Sequence, residues 1–359
     1  MRLIPLLLLP LLFAPVPART EVWTVAPDGS GDYPTVGSAL AAAQPGDTVE
    51  LESGIYFEAG LLLTDRVILR SVTGNARDVT LDGSRAGRVL AGIGLNSGTR
   101  IEGLTIVGGN VAPPCADPGA GTYCLGAGLL LLDTTIDVVG CTFRDNEAAD
   151  NGGGVASVLS APHFVDCRFE RNRATHGAGL TFVSSERNGE IPSLLRCLFE
   201  ANDAHADGGA LYAYASRPSI TECTFRDNTC GEQGSAIVWH SPVPATIERT
   251  LITGGVGEAP IHVGVGAVPP VLVCCDLWGN VGGDWIGFLA PQLGERDNFS
   301  ADPYFCGGEG EDVDESSPCL PGSTTCGAVG ALEVGCSALD APGWIRTESW
   351  GRVKERFRR

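Results

Sequence analysis

One six-residue word, repeated at a nearly constant interval, restricts this chain more than anything else in it. It reads Cys141-Thr-Phe143-Arg-Asp-Asn146, Cys167-Arg-Phe169-Glu-Arg-Asn172, Cys197-Leu-Phe199-Glu-Ala-Asn202 and Cys223-Thr-Phe225-Arg-Asp-Asn228. The steps are 26, 30 and 26 residues, and Cys275-Asp-Leu277-Trp-Gly-Asn280 follows Cys223 after two further steps of 26. Thr250-Leu-Ile252-Thr-Gly-Gly255 fills the gap, and Leu104-Thr-Ile106-Val-Gly-Gly-Asn110 reads as an upstream copy. A second word follows each copy: Gly153-Gly-Val155, Ala178-Gly-Leu180, Gly209-Ala-Leu211 and Ser235-Ala-Ile237. A fixed period of this length is the mark of a stacked-repeat architecture.

The residue types choose among such architectures. The segments alternate with period two and lack the 3.6-residue period of helical repeats. Coils of two or three short strands, each about 4.8 Å from the next, fit that pattern. Equivalent positions then lie one above another. Cys and Phe, two apart, share a face, so both are expected to form internal ladders: Cys141, Cys167, Cys197, Cys223 and Cys275, and Phe143, Phe169, Phe199 and Phe225. Asn146, Asn172, Asn202, Asn228 and Asn280 are expected to adopt the left-handed turn conformation and to bond along the stack. Asp166, Arg196, Glu222 and Arg249 precede ladder positions and alternate in sign, as a surface salt-bridge ladder would. The expected fold is all-β: a right-handed parallel β-helix (solenoid) with a short N-terminal capping helix and a Cys-rich C-terminal cap. Residues 35–44 form the helix, with Thr35 as its N-cap.

Residues 1–18 read as a signal peptide, with Arg2, an apolar run from Leu3 to Phe13, and Val16 and Ala18 before the cut. Residues 19–297 are assigned to the solenoid, 298–336 to the cap and 337–359 to a basic tail. The apolar run is too short to span a bilayer, so the mature chain is expected to be secreted or held at the cell surface, as a monomer. The formal charge of −19 argues against nucleic acid as a partner. Thirteen cysteines in an exported chain imply an oxidising compartment. Stacked ladder cysteines have parallel Cβ vectors, a poor bridge geometry, and are expected to stay free. Cys115 with Cys124, and Cys306, Cys319, Cys326 and Cys336 among themselves, are the disulfide candidates; Cys230 with Cys274 is a further pairing. No zinc-type cysteine spacing occurs, and no metal site is assigned.

The N-terminal words Val25-Ala-Pro-Asp28-Gly29-Ser-Gly31-Asp32-Tyr33-Pro-Thr35-Val, Pro45-Gly46-Asp47-Thr-Val and Gly54-Ile-Tyr56-Phe-Glu58 resemble those of pectin methylesterases and other pectin-lyase-like β-helices. The later part is similar to bacterial right-handed β-helix repeat proteins, including those with polymorphic outer-membrane-protein-like repeats. Asn298-Phe-Ser300-Ala-Asp302-Pro303-Tyr-Phe305, Ser317-Pro318-Cys319 and Gly327-Ala-Val-Gly330-Ala331 carry that likeness. The resemblance implies the fold. Methylesterases of this kind carry Asp-Phe-Ile-Phe-Gly, Gln-Asp-Thr-Leu and Leu-Gly-Arg-Pro-Trp, and this sequence contains none of the three.

Two residue sets remain as functional candidates. Tyr212, Tyr214 and His240 alternate with inward residues and would form an outward stripe able to stack on sugar rings. Ordinary cross-strand packing also produces such a stripe. Asp150, His176, His205, Asp207 and Glu232 fall in the turn after the asparagine ladder, where carboxylates and imidazoles could perform acid–base work or hold a cation. A solvated polar turn has the same composition. The leading expectation is therefore a non-catalytic scaffold that binds glycans or a surface protein along its long face, with no cofactor. The alternatives are a polysaccharide lyase or glycoside hydrolase, with Ca²⁺ if it is a lyase, and a purely structural envelope protein.

Overall fold

The computed structural model describes residues 20–115, 124–306 and 312–336. The signal-peptide and basic-tail assignments lie outside these residues. The chain folds into the expected right-handed parallel β-helix. The coils run through three long parallel sheets, A (ten strands), B (nine) and C (eight), and the central ones also through the short sheet D (five) between B and C. The coil that begins at Ile136–Val139 in sheet A continues as Thr142–Arg144 in sheet B, Glu147–Ala148 in sheet D and Val155–Val158 in sheet C.

Repetition keeps the rungs of sheet B in register. Phe143 lies opposite Phe169, Phe169 opposite Phe199, and Phe199 opposite Phe225. Their buried rings stack with centroids 5.3, 4.4 and 4.7 Å apart. The five ladder cysteines are buried and free. The thiols of all but Cys141 reach the carbonyls of the preceding coil, as Cys167 does to Val138 at 3.3 Å and Cys275 to Ile247 at 3.3 Å. Burial pushes the Cys141 and Cys275 thiols up to about 12, so they behave as small apolar groups. The salt-bridge ladder is present at the surface: Arg196 meets both oxygens of Asp166 at 2.6 and 2.9 Å, and Arg249 meets Glu222.

The asparagine ladder differs from the expectation in one respect. Its side chains do bond along the stack, but the left-handed corner is taken by the preceding residue, as at Asp145, Arg171, Ala201 and Asp227. The corner turns the chain so that the following Asn points inward. There its Nδ2 donates to a carbonyl of the preceding coil and to the Asn oxygen of the next, and its Oδ1 accepts from the preceding coil. Gly109, not Asn110, occupies the upstream ladder position, where its amide donates to Asn146 Oδ1 at 2.9 Å. A Cβ at Gly109 would stand 2.1 Å from the Ala127 carbonyl.

Helix Val36–Ala42 closes the N-terminal end, with Val36, Ala39 and Leu40 buried. Thr35 caps it in a capping box with Ser38. The Glu58 carboxylate accepts from the amides of Val36 and Gly37 at 2.7 and 2.9 Å. The Tyr56 hydroxyl lies 2.7 Å from the Val25 carbonyl. The Gly-Ile-Tyr-Phe-Glu word is thus part of the end closure. Replacing Thr35 with Ala should cost about 1 kcal/mol in urea denaturation.

At the other end the short helix Gly287–Gln292 buries Leu289 against the core. The Cys-rich segment does not continue the stack. It folds back over the outer face of sheet B, where Cys319 and Val329 pack on Leu251 and the Ala331 amide donates to Thr224 Oγ1 at 2.9 Å. One disulfide corrects the sequence reading. Cys115–Cys124 forms as expected, but Cys274 joins Cys326, tying solenoid to cap, and leaves Cys230 free. Cys319 is also free, because its place beneath the cap faces Asp276 at 3.4 Å and no other sulfur. Cys306 is disulfide-bonded. No helix among the described residues is long and apolar enough to cross a membrane.

Candidate functional site

Sheet C positions the candidate site. Leu211 and Ala213 point into the core, so Tyr212 and Tyr214 point out, and Ile237 and Trp239 leave His240 on the same outer face. The Tyr212 and Tyr214 rings are parallel within 2°, with centroids 6.5 Å apart. Tyr212 lies between His176 at 5.3 Å and His240 at 5.6 Å. His240 also faces Tyr214 at 6.1 Å and His262 at 6.4 Å. Tyr214 is 51% exposed and Tyr212 is half-buried. Thr181 and Val183 occupy the neighbouring rung, as the alternation requires.

The turn candidates do not converge as one group. His176 and Asp207 come together, with Nδ1 and Oδ2 3.3 Å apart. A register shift in sheet D does this: the strand Asp203–Asp207 carries one residue more than Arg173–His176, which slides Asp207 beside the imidazole. Asp207 also accepts from the Gln233 amide at 3.2 Å. Asp150 serves the backbone instead, taking the Cys124 amide at 2.7 Å. His205 points away into a groove of about 450 Å³ on sheet D, lined by Glu147, Arg173, Asp203 and Cys230. Glu232 is exposed and apart.

His262 joins the cluster without having been singled out in the sequence. Its signal was there in degenerate form: Ala259-Pro-Ile261 repeats the word Ser235-Ala-Ile237, and the register pairs His262 with Val238. His163 stands elsewhere, on sheet A, with Nδ1 2.9 Å from Ser193 Oγ.

Glycines make room for the rings. A Cβ at Gly264 would fall 1.9 Å from His240 Nδ1, so the imidazole lies flat over bare backbone. A Cβ at Gly177 would fall 2.7 Å from Tyr212 Cβ. Gly264→Ala should therefore displace the His240 ring with little loss of stability. The His240 imidazole resonances should shift, and any ligand contact made through that ring should weaken.

Burial, followed by the like charge of His262, lowers the His240 pKa below the ordinary imidazole value, with Asp207 opposing. At neutral pH His240 is an uncharged ring with a polar tip. Burial and then the charge of Asp207 raise the Tyr212 hydroxyl, which stays protonated and able to donate. The site combines flat apolar rings with neutral hydrogen-bonding tips. Among the described residues the tightest trio of metal-capable side chains is Cys274, Asp297 and Cys326, but its two sulfurs are joined in a disulfide. A larger groove, of about 1040 Å³, crosses sheet B. Within its lining, Arg168 and Arg171 both lie beside Glu170, at 3.9 and 3.8 Å.

No protein-family model matches the chain, and no curated protein matches it. Among solved structures it is similar to a deglycosylated pectin methylesterase from Aspergillus niger, at 13% identity over 79% of this chain and 91% of that one, with a TM-score of 0.43. The carrot pectin methylesterase gives 12% identity, 79% and 88% coverage and a TM-score of 0.41. A polygalacturonase from Erwinia carotovora gives 12%, 74% and 87%, and 0.36. The likeness concerns the fold, and no reaction follows from it.

Proposed function

We propose that this protein binds polysaccharide outside the cell, through the outer face of sheet C. The observation that carries this is the Tyr212–Tyr214–His240 cluster: two parallel tyrosine rings and a tilted imidazole on the outer face of one sheet, held by neighbouring rungs. Aromatic faces take up the apolar faces of sugar rings, and their hydroxyl and imidazole tips answer sugar hydroxyls. The disulfides suit an oxidising, extracytoplasmic compartment.

A second reading has its own observation. His176 and Asp207 sit together beside Tyr212, with Nδ1 3.3 Å from Oδ2 but not hydrogen-bonded to it; a turn of the imidazole would let the carboxylate orient it as a general base. With that pair acting on a bound glycan, the protein would be a carbohydrate-active enzyme, a polysaccharide lyase or a glycoside hydrolase.

One screen separates the two. Purified residues 19–359 would be tested for glycan binding and for release of unsaturated or reducing ends, with and without Ca²⁺. Binding weakened about tenfold or more by Tyr212→Ala and Tyr214→Ala, without turnover, is the expected result. Turnover that Asp207→Asn or His176→Ala abolishes would make it an enzyme. Neither binding nor turnover would refute both and leave a structural or protein-binding role.

A further inference from the structure

The outer face of sheet C continues well beyond the aromatic cluster, and its composition is unlike that of the other sheets. One outward row runs Ile93, Leu132, Val158, Val183, Tyr214, His240. The other begins at Leu62 and ends at His262. Across the eight strands neither row contains Asp, Glu, Lys or Arg. Sheet B, by contrast, presents Arg144, Glu170, Glu200 and Arg226 outward in successive rungs. The chain carries 43 acidic and 24 basic residues, so a charge-free sheet face is not a consequence of composition. Only the first row is open along its length, with Ile93 45% and Tyr214 51% exposed and Leu132, Val158 and Val183 partly exposed; the second is buried from Ala91 to Thr181, with Leu125 packed on Ala91, Leu130 and Ala156.

The dimensions restrict the occupant. Eight strands at sheet spacing span about 34 Å, and four-residue strands make the ribbon about 13 Å wide. That is at most about 440 Å², and less with one row covered, well short of the roughly 800 Å² per partner of a stable protein interface. A second copy of the chain, or another folded protein, would find too little here. A single linear polymer lying along the stack would cover the open row. With no fixed cation to meet an acidic sugar, and a strongly acidic molecule around it, an anionic chain would be disfavoured.

We infer that the ligand is an uncharged linear polysaccharide that lies along the open row, from the Tyr214–His240 end to Ile93. This rests on the glycan reading of the aromatic cluster and adds the ligand's charge class and its path. The rings anchor one end, and the aliphatic rungs take up the sugar C–H faces of the rest.

The test uses cello-, xylo- and manno-oligosaccharides from disaccharide to octasaccharide, with polygalacturonate and alginate oligomers as polyanions, titrated calorimetrically into the full mature chain. At least one neutral series should bind, with affinity rising about tenfold or more from short to long members. Ile93→Asp should abolish that rise; its side chain is exposed enough to replace without loss of folding. Polyanions bound as tightly as neutral chains, in a manner weakened by Tyr212→Ala, would overturn the inference and leave the glycan reading standing. Equal affinity for short and long neutral chains would overturn the path along the row. Failure of every series would overturn the glycan reading and the inference with it.

Discussion

Replacing Asn202 with Ala should destabilise the protein by about 4 kcal/mol, more than any surface change of similar size. The side chain is fully buried in the middle of the ladder. Its Nδ2 donates to the Phe169 carbonyl at 2.7 Å and to Asn228 Oδ1 at 3.0 Å. Its Oδ1 accepts from the Asn172 amide at 3.1 Å and from Asn172 Nδ2 at 3.0 Å. Alanine leaves the Phe169 carbonyl and two Asn172 donors unpaired where water does not reach. Each such group costs about 1–3 kcal/mol. Asn202→Asp keeps the shape but cannot donate to Phe169, and should lose nearly as much. Arg196→Ala breaks an exposed ion pair and should cost under about 1 kcal/mol. In urea denaturation the midpoint of the Asn202 variants should fall with the slope unchanged. A loss below about 1 kcal/mol would show that the ladder adds little to coil cohesion.

The same ladder explains why so much of the fold was legible in the sequence. Stacking coils places like residues together, so a word that recurs in the chain recurs in space, and C-x-F-x-x-N could be turned directly into Cys, Phe and Asn columns. The outward stripe was legible for the same reason, through the alternation of Leu211, Tyr212, Ala213 and Tyr214. Legibility failed wherever the repeat slipped. His262 follows a word in which proline replaces alanine. The extra residue before Asp207 hid its meeting with His176, and with it the fact that Asp150, His205 and Glu232 stand apart. The Cys274–Cys326 bond and the free Cys319 were out of reach for a different reason. Connectivity depends on how the cap folds back over sheet B, which no period encodes. The left-handed corner residues, as different as Asp145, Arg171 and Ala201, carry no common type to read.

That fold-back also creates the largest pH effect expected in the molecule. Asp276 points outward from sheet B, yet the cap covers it completely. Its Oδ1 accepts from the Ala301 amide at 3.0 Å, and Oδ2 lies 3.4 Å from the Cys319 sulfur. Burial pushes its pKa up to about 7, with the charges of Asp284 and Asp302 adding to the rise and the Ala301 amide opposing it. The folded protein therefore holds a proton that the unfolded chain releases near the ordinary carboxylate value of 3.8. Between roughly pH 4 and 7 the native state binds more protons, so stability from this group falls as pH rises and levels off above about 7. The full difference is on the order of 4 kcal/mol. Asp276→Asn fixes the site in an uncharged form and should remove this component. Urea denaturation of both proteins from pH 4 to 8 would give curves that diverge with rising pH, the variant gaining relative to the wild type. Curves that stay parallel across that range would mean that the Asp276 carboxylate is not held protonated beneath the cap.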